Sequence, residues 1–147
     1  MKNIYGLLLS LAVMAALATS CMKDEDEIQS SPECVITKFT VGDIDTEVSI
    51  KLASGKDTIV TRTIGGSSVA FNIDQINNKI YSVDSLPSWV DISGVIPTVN
   101  STGYVYIKEG DETDFHQFAS GTDSVDFTKP VKFLIIATDG VSTKEYT

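Results

Sequence analysis

Hydrophobic and polar positions follow two different patterns along this chain. Residues 4–18 form an almost continuous apolar run with Lys2 just ahead of it, whereas from Cys34 onward apolar and polar residues alternate. The run is shorter than the roughly 20 apolar residues that a membrane-spanning helix needs. We therefore interpret residues 1–20 as a cleaved secretory signal peptide and leave them out of the fold.

The alternating part predicts a series of short strands separated by turn residues. A period of two is typical of a half-buried strand, and clusters of Gly, Asp, Asn and Ser mark the breaks between strands. The predicted strands cover residues 34–41, 47–53, 58–64, 69–73, 80–82, 96–99, 103–108, 131–138 and 142–147. No helical period occurs outside the leader, so the sequence predicts an all-β fold, an antiparallel β-sandwich.

Three of these segments carry more specific predictions. In the first strand, the alternation places Val35 and Phe39 on one face and Ile36 on the other. Residues 131–138 are apolar on both faces, which makes them the strongest predicted strand of the chain. Pro97 donates no backbone hydrogen bond and therefore indicates an edge strand.

A cysteine stands at the end of the apolar run. Small residues precede Cys21, and acidic residues follow it. This arrangement at the end of a secretory signal is typical of a lipidation and cleavage site. It divides the chain into a signal peptide at residues 1–20, a flexible acidic tether at 21–33 and a folded domain at 34–147.

Cys34 is the second of the two cysteines. An even count in an exported protein also allows a disulfide, which here would join Cys21 to Cys34. We favour the lipid because the whole leader is built around Cys21. Cys34 is then expected to be a small buried residue at the start of a strand, with a reactive thiol as the alternative.

The charge of the chain excludes two classes of partner. The net charge is −9, and loss of Lys2 with the leader makes the mature chain more negative still. Nucleic acids and anionic lipid surfaces are bound by clustered Lys and Arg, which this sequence lacks. We therefore expect no nucleic-acid partner, and we expect contact with a membrane only through a lipid anchor.

The leader and the tether resemble the signals of bacterial lipoproteins. In those signals small residues precede a cysteine that becomes the acylated first residue of the mature chain, although Leu17 lies one place further back than the usual leucine. The acidic cluster after Cys21 is similar to the export signal of surface lipoproteins in the Bacteroidota, and it comprises Lys23, Asp24, Glu25, Asp26 and Glu27. The resemblance implies a multiply acylated anchor on Cys21, in the outer membrane, with the domain exposed at the cell surface.

The folded part resembles a family as well. The residues that carry this resemblance are Asp74-Gln75, Ile80-Tyr81, Asp84-Ser85-Leu86-Pro87 and Asp123-Ser124-Val125-Asp126-Phe127. They are similar to the N-terminal domain of unknown function in Bacteroidota surface lipoproteins that continue into a kelch-like β-propeller. Residues 125–147 also resemble the closing hairpin of bacterial immunoglobulin-like modules. The resemblance implies an immunoglobulin-like β-sandwich whose last strand is cut short at Thr147, and it supplies no functional residue.

Candidate catalytic and metal-binding residues are few. His116 is the only histidine, and no G-x-S-x-G motif for a nucleophilic serine occurs. Four acidic residues could offer oxygens to calcium, but their order does not match the calcium-loop pattern: Glu109, Asp111, Glu112 and Asp114. We therefore expect no catalytic residue, no metal and no cofactor, and we do not expect an enzyme.

These observations lead to three functional hypotheses. The first is a non-catalytic, surface-anchored lipoprotein module that spaces or presents a binding domain at the outer membrane. The alternative is a carbohydrate-binding module in which Trp89, Tyr104 and Tyr106 stack on a glycan, although Trp89 is expected to be buried in the core. The third is an adhesin component that accepts a donor strand at the open edge where the chain ends.

Overall fold

The fold is all-β and antiparallel, as the alternating pattern predicted. A computed structural model describes residues 30–147, which contain ten strands and no α-helix. The strands are β1 (Ile36–Val41), β2 (Ile44–Lys51), β3 (Asp57–Ile64), β4 (Phe71–Asp74), β5 (Lys79–Ser82), β6 (Pro97–Ser101), β7 (Tyr104–Glu109), β8 (His116–Gln117), β9 (Val131–Ile136) and β10 (Thr143–Tyr146). A short 3-10 turn, Gly66–Ser68, follows β3. Within residues 30–147, no helix has the length and apolar character that crossing a membrane requires.

The strands form one four-stranded sheet and three strand pairs. The sheet has the order β10-β9-β7-β8, and the pairs are β1–β6, β2–β3 and β4–β5. All of these pairings are antiparallel. The β9–β10 pairing confirms the predicted closing hairpin, whose turn contains Gly140 at a φ of 71°.

The core lies where the β1–β6 pair faces the four-stranded sheet. Alternate residues of β9 (Val131, Phe133 and Ile135) are at most 5% exposed. The ring of Phe133 contacts Phe39 of β1 edge-on, with 5.7 Å between the ring centres. Because β9 is flanked by β7 and β10 and also contacts β1, the strongest strand of the sequence is the central strand of the fold.

The distribution of buried residues between the two faces of β1 differs from the prediction. Ile36 and Phe39 are both buried, although a strict period of two places them on opposite faces. The pairing register with β6 shifts between Ile36 and Lys38, and Thr37 is exposed at this irregularity. An extra residue in one strand resets the alternation, so that two residues three positions apart reach the same core.

The β2–β3 hairpin extends away from the core. The hairpin itself confirms the prediction, with eight paired positions from Ile44↔Ile64 to Lys51↔Asp57. Only Ile44 and Thr46, at its base, are buried. Thr46 uses its Oγ1 to accept the N–H of Asp91 at 2.9 Å.

Trp89 is not a core residue, so that prediction is wrong. Its side chain is only partly buried and lies outside the core cluster. The guanidinium of Arg62, on β3, lies over its indole at 5.4 Å from the ring centre. The projecting hairpin therefore supplies the neighbour of Trp89, which a local sequence pattern does not show.

Pro97 begins β6, which pairs on one side with β1. Pro97 is fully buried, and its carbonyl accepts the N–H of Gly121 at 2.8 Å. The predicted edge strand is therefore confirmed. The missing N–H of Pro97 costs no ladder hydrogen bond there.

The residues just before β1 are held against the body of the domain. Ser31 donates its N–H to Thr138 Oγ1 at 2.9 Å, and Thr102 donates its hydroxyl to the carbonyl of Glu33 at 2.8 Å. Cys34 is buried at 8% exposure, as expected for a small core residue. Residues 31–34 thus form a fixed junction in front of β1.

Candidate functional site

An apolar cleft with a volume of about 590 Å³ opens at the surface of the described part of the chain. Its floor consists of core residues, among them Phe39, Val131 and Phe133. Its sides include Ile80 of β5 and Leu86. The cleft therefore gives solvent access to the hydrophobic core between β5 and the beginning of β9.

The β4–β5 hairpin forms one wall of the cleft, and its turn is fixed by a carboxylate. Asp74 Oδ1 accepts the N–H groups of Ile76 and Asn77, both at 3.0 Å. The side-chain amide of Asn77 also donates to Asp74 Oδ2 at 2.7 Å, and this bond, followed by the backbone bonds, lowers the pKa of Asp74. Asn78 takes the left-handed conformation at a φ of 54°, which Asn tolerates better than most residues.

Two lysines, Lys79 and Lys129, lie at the edge of the cleft. Lys129 Nζ lies 2.5 Å from Asp111 Oδ2. This hydrogen bond and the opposite charge lower the pKa of Asp111 and raise the pKa of Lys129. An acidic partner already neutralises Lys129, and most of the other residues that line the cleft are apolar, so the cleft is suited to an apolar occupant.

A strand edge is exposed along the cleft. Thr147 donates its N–H to the carbonyl of Asn78 at 3.0 Å, and Ile80 donates its N–H to the carbonyl of Thr147 at 2.9 Å. One residue bonded to two residues that are two positions apart is the pattern of a parallel ladder. The chain at Thr147 therefore runs parallel to β5, with Lys79 as its partner in the register.

The three aromatic residues predicted to stack on a glycan come from two separate parts of the chain, and their joint role stays a prediction. Tyr104 and Tyr106 lie on the outer face of β7, and Tyr104 is 63% exposed. Trp89 instead contacts Arg62 at the β2–β3 hairpin. The shared face of the two tyrosines confirms the strand period, while Trp89 belongs to a different part of the domain.

The acidic residues near β8 are engaged separately. Glu109 Oε2 accepts the N–H of Asp126 at 2.7 Å, and Glu112 Oε2 accepts the N–H of Glu109 at 3.0 Å. His116 Nδ1 lies 3.5 Å from Glu112. Asp114, the last residue of the predicted set, accepts the hydroxyl of Thr113. Across residues 30–147, no three metal-ligating side chains come together.

The predicted lipidation and export residues, Cys21 and Lys23 to Glu27, lie outside the described residues and stay predictions. The cleft, by contrast, was missed by the sequence analysis. Its walls come from segments far apart in the chain, so no single pattern marks it.

The fold and the site define an all-β antiparallel domain with an apolar cleft beside an open strand edge. The chain belongs to the family described as "Domain of unknown function (DUF6242) N-terminal domain", whose model matches residues 39–147. This match confirms the predicted resemblance to an N-terminal domain of unknown function. No curated protein and no solved structure matches the chain.

Proposed function

We propose that this protein is a non-catalytic, surface-anchored lipoprotein module that spaces or presents a following domain at the outer membrane. The family description, an N-terminal domain, supports a position ahead of another domain. The lipid on Cys21 anchors the protein in the membrane, and the acidic tether sets the distance between the membrane and the folded domain. The β1–β6 pair facing the four-stranded sheet supports an immunoglobulin-like sandwich as the rigid part.

The junction before β1 is the observation that carries this proposal. Ser31 and Glu33 are hydrogen-bonded to Thr138 and Thr102, which lie just after β9 and just before β7. A chain leaving a lipid-anchored cysteine would therefore meet the folded body at a fixed point. A spacer needs such a point, because the orientation of what it presents depends on where the tether joins.

The test of the anchor is metabolic labelling with palmitate. Cys21→Ala removes the acceptor sulfur, so labelling is expected to be lost and the protein is expected to leave the membrane fraction. Cys34→Ala is the matched control, since Cys34 is buried in the fold and its replacement leaves Cys21 intact. Labelling that persists in Cys21→Ala, or that disappears in Cys34→Ala, would contradict the proposal.

Carbohydrate binding is the second candidate, and it is favoured by two tyrosines on one face of β7, of which Tyr104 is exposed and Tyr106 is half-buried. Tyr104 and Tyr106 are two positions apart on one face, so their rings lie roughly 7 Å apart along the strand. On a glycan array, Tyr104→Ala and Tyr106→Ala should each remove binding. Tyr81→Ala, which changes an exposed tyrosine on β5, should leave it unchanged. An array without hits for the unaltered protein argues against this candidate.

A further inference from the structure

Thr147 is hydrogen-bonded to Asn78 and Ile80, and the edge of β5 extends beyond these two residues. Val83 donates its N–H to the carbonyl of Ala70 at 2.8 Å, which fixes the alternation of the β4–β5 ladder. In that alternation, the N–H and C=O groups of Ile80 and Ser82 point away from β4. Ile80 uses its N–H on Thr147, which leaves the Ile80 carbonyl and the Ser82 N–H directed along the cleft.

The opposite side of the cleft presents a second edge in the same register. β10 pairs with β9 up to Tyr146↔Phe133, so the residue after Thr147 would stand opposite Val131. Val131 is the first residue of β9 and pairs with β7 on its other side. A chain that ran on past Thr147 would therefore have Val131, at the start of β9, opposite its first residue and β5 along its other side.

The side-chain alternation shows what such a strand must carry. Tyr146 and its partner Phe133 are both buried, and so is Val131. The first residue after Thr147 would share the inward face with Tyr146 and would point into the cleft. The second would point outward and the third inward again. The occupant is thus a short extended segment whose inward positions, the first and the third, are apolar.

The size and lining of the cleft agree with this occupant. A volume of about 590 Å³ corresponds to roughly twenty water molecules at ~30 Å³ each. Water against Phe39, Phe133 and Ile80 gains few hydrogen bonds from the protein. Apolar side chains would remove that contact, and the strand backbone would satisfy both open edges.

We propose that the cleft is the socket for a strand that continues β10 beyond Thr147. The strand joins the β4–β5 hairpin to the four-stranded sheet and produces a six-stranded sheet of order β4-β5-β10-β9-β7-β8. The inference rests on the proposed function in one respect, since the following domain supplies this strand through its connecting segment. The attachment is then rigid, because the connection leaves from inside a sheet.

The test adds four residues after Thr147 of the full chain, purified in detergent. Val-Thr-Val-Thr places apolar side chains at the inward positions, and the matched control Thr-Val-Thr-Val has the same composition with the opposite phase. A one-residue shift exchanges the faces of a strand. We expect the first extension to raise Tm by about 5–10 °C and the control to change it by less than about 2 °C.

Hydrogen exchange and one further variant locate the effect. The Ser82 amide should exchange roughly tenfold or more slowly in the Val-Thr-Val-Thr chain, since it gains an acceptor. Ser82→Pro removes that donor, and because the donor points away from β4, the unextended chain should tolerate it. The same substitution should remove most of the Tm gain.

Several results would overturn the inference. They are equal Tm values for the two extensions, an unchanged Ser82 amide, or binding of the Val-Thr-Val-Thr peptide added in trans with no gain from the extended chain. A gain that depends on protein concentration would indicate a strand exchanged between two copies and would also overturn it. None of these measurements depends on palmitate labelling, so the anchor and the socket can fail independently.

Discussion

The β2–β3 hairpin and β9 with its two neighbours are both regular antiparallel pairings, yet they differ in what covers them. The hairpin pairs eight positions without interruption, whereas β9 has six residues. The three inward residues of β9 are at most 5% exposed, while Ile59 in the middle of β3 is 67% exposed. The longest single ladder thus belongs to the less buried region.

This difference separates two contributions to stability. A backbone hydrogen bond in contact with water adds only about 0.5–1.5 kcal/mol net, because the unfolded chain bonds to water instead. An isolated two-stranded hairpin is therefore marginally stable. β9 combines its ladder with apolar burial, and this burial stabilises the fold more than the hydrogen bonds do. We expect the hairpin to depend on its attachment to the body, and the body to depend on β9.

The largest expected effect compares the same substitution in both regions. Ile135→Ala removes a fully buried side chain from β9 and should lower the free energy of unfolding by about 2–5 kcal/mol. Ile59→Ala makes the identical change on β3, where the side chain is mostly exposed, and should change it by less than about 0.5 kcal/mol. Urea denaturation of the two variants measures both values. Losses of similar size would show that the hairpin is packed as tightly as β9.

The same contrast explains which parts of the fold the sequence predicted. β9 was predicted as the strongest strand because Leu134, Ile135 and Ile136 are adjacent and apolar, and this signal is local, although only alternate residues of β9 are fully buried. The hairpin was also predicted, since alternation and a Gly55 turn are local as well. The exposure of the hairpin was not predicted. Alternation shows that a strand has an apolar face, but it does not show which other element covers that face.

The errors have a common physical origin in contacts between distant segments. The register shift in β1 depends on the pairing with β6, more than 60 residues away along the chain. The environment of Trp89 depends on Arg62 from β3. The cleft requires β5 and β9 to face each other across a gap. Composition and periodicity describe a strand by itself, so these long-range placements could not be derived from them.

A smaller effect is expected at the joint between the hairpin and the body. Gly66 follows β3 in the 3-10 turn, is buried, and donates its N–H to Asp43 Oδ1 at 2.8 Å. A Cβ there would lie 2.0 Å from the carbonyl oxygen of Val41, so the backbone would have to move. Gly66→Ala should therefore lower the free energy of unfolding by about 1–3 kcal/mol, as measured by thermal or urea unfolding.

Gly65 offers the matched control for this joint. A Cβ at Gly65 would meet nothing closer than 3.9 Å, and its φ of −63° suits any residue. Gly65→Ala should therefore be neutral or stabilising by up to about 1 kcal/mol. A comparable loss in both alanine variants would mean that the turn requires flexibility, and that close approach to Val41 is not the cause.

The smallest effect is expected for the contact between Arg62 of the β2–β3 hairpin and Trp89 of the body. Arg62 lies over the indole of Trp89, and a cation at an exposed aromatic ring contributes about 0.5–1 kcal/mol. Arg62→Ala should cost no more than that and should change the emission of Trp89, the only tryptophan. Arg62→Lys keeps the charge and should lie in between, while Thr61→Ala on the same strand should leave the emission unchanged. If Arg62→Ala also left the emission unchanged, the hairpin would be held to the body at its base alone, through Ile44, Thr46 and Gly66.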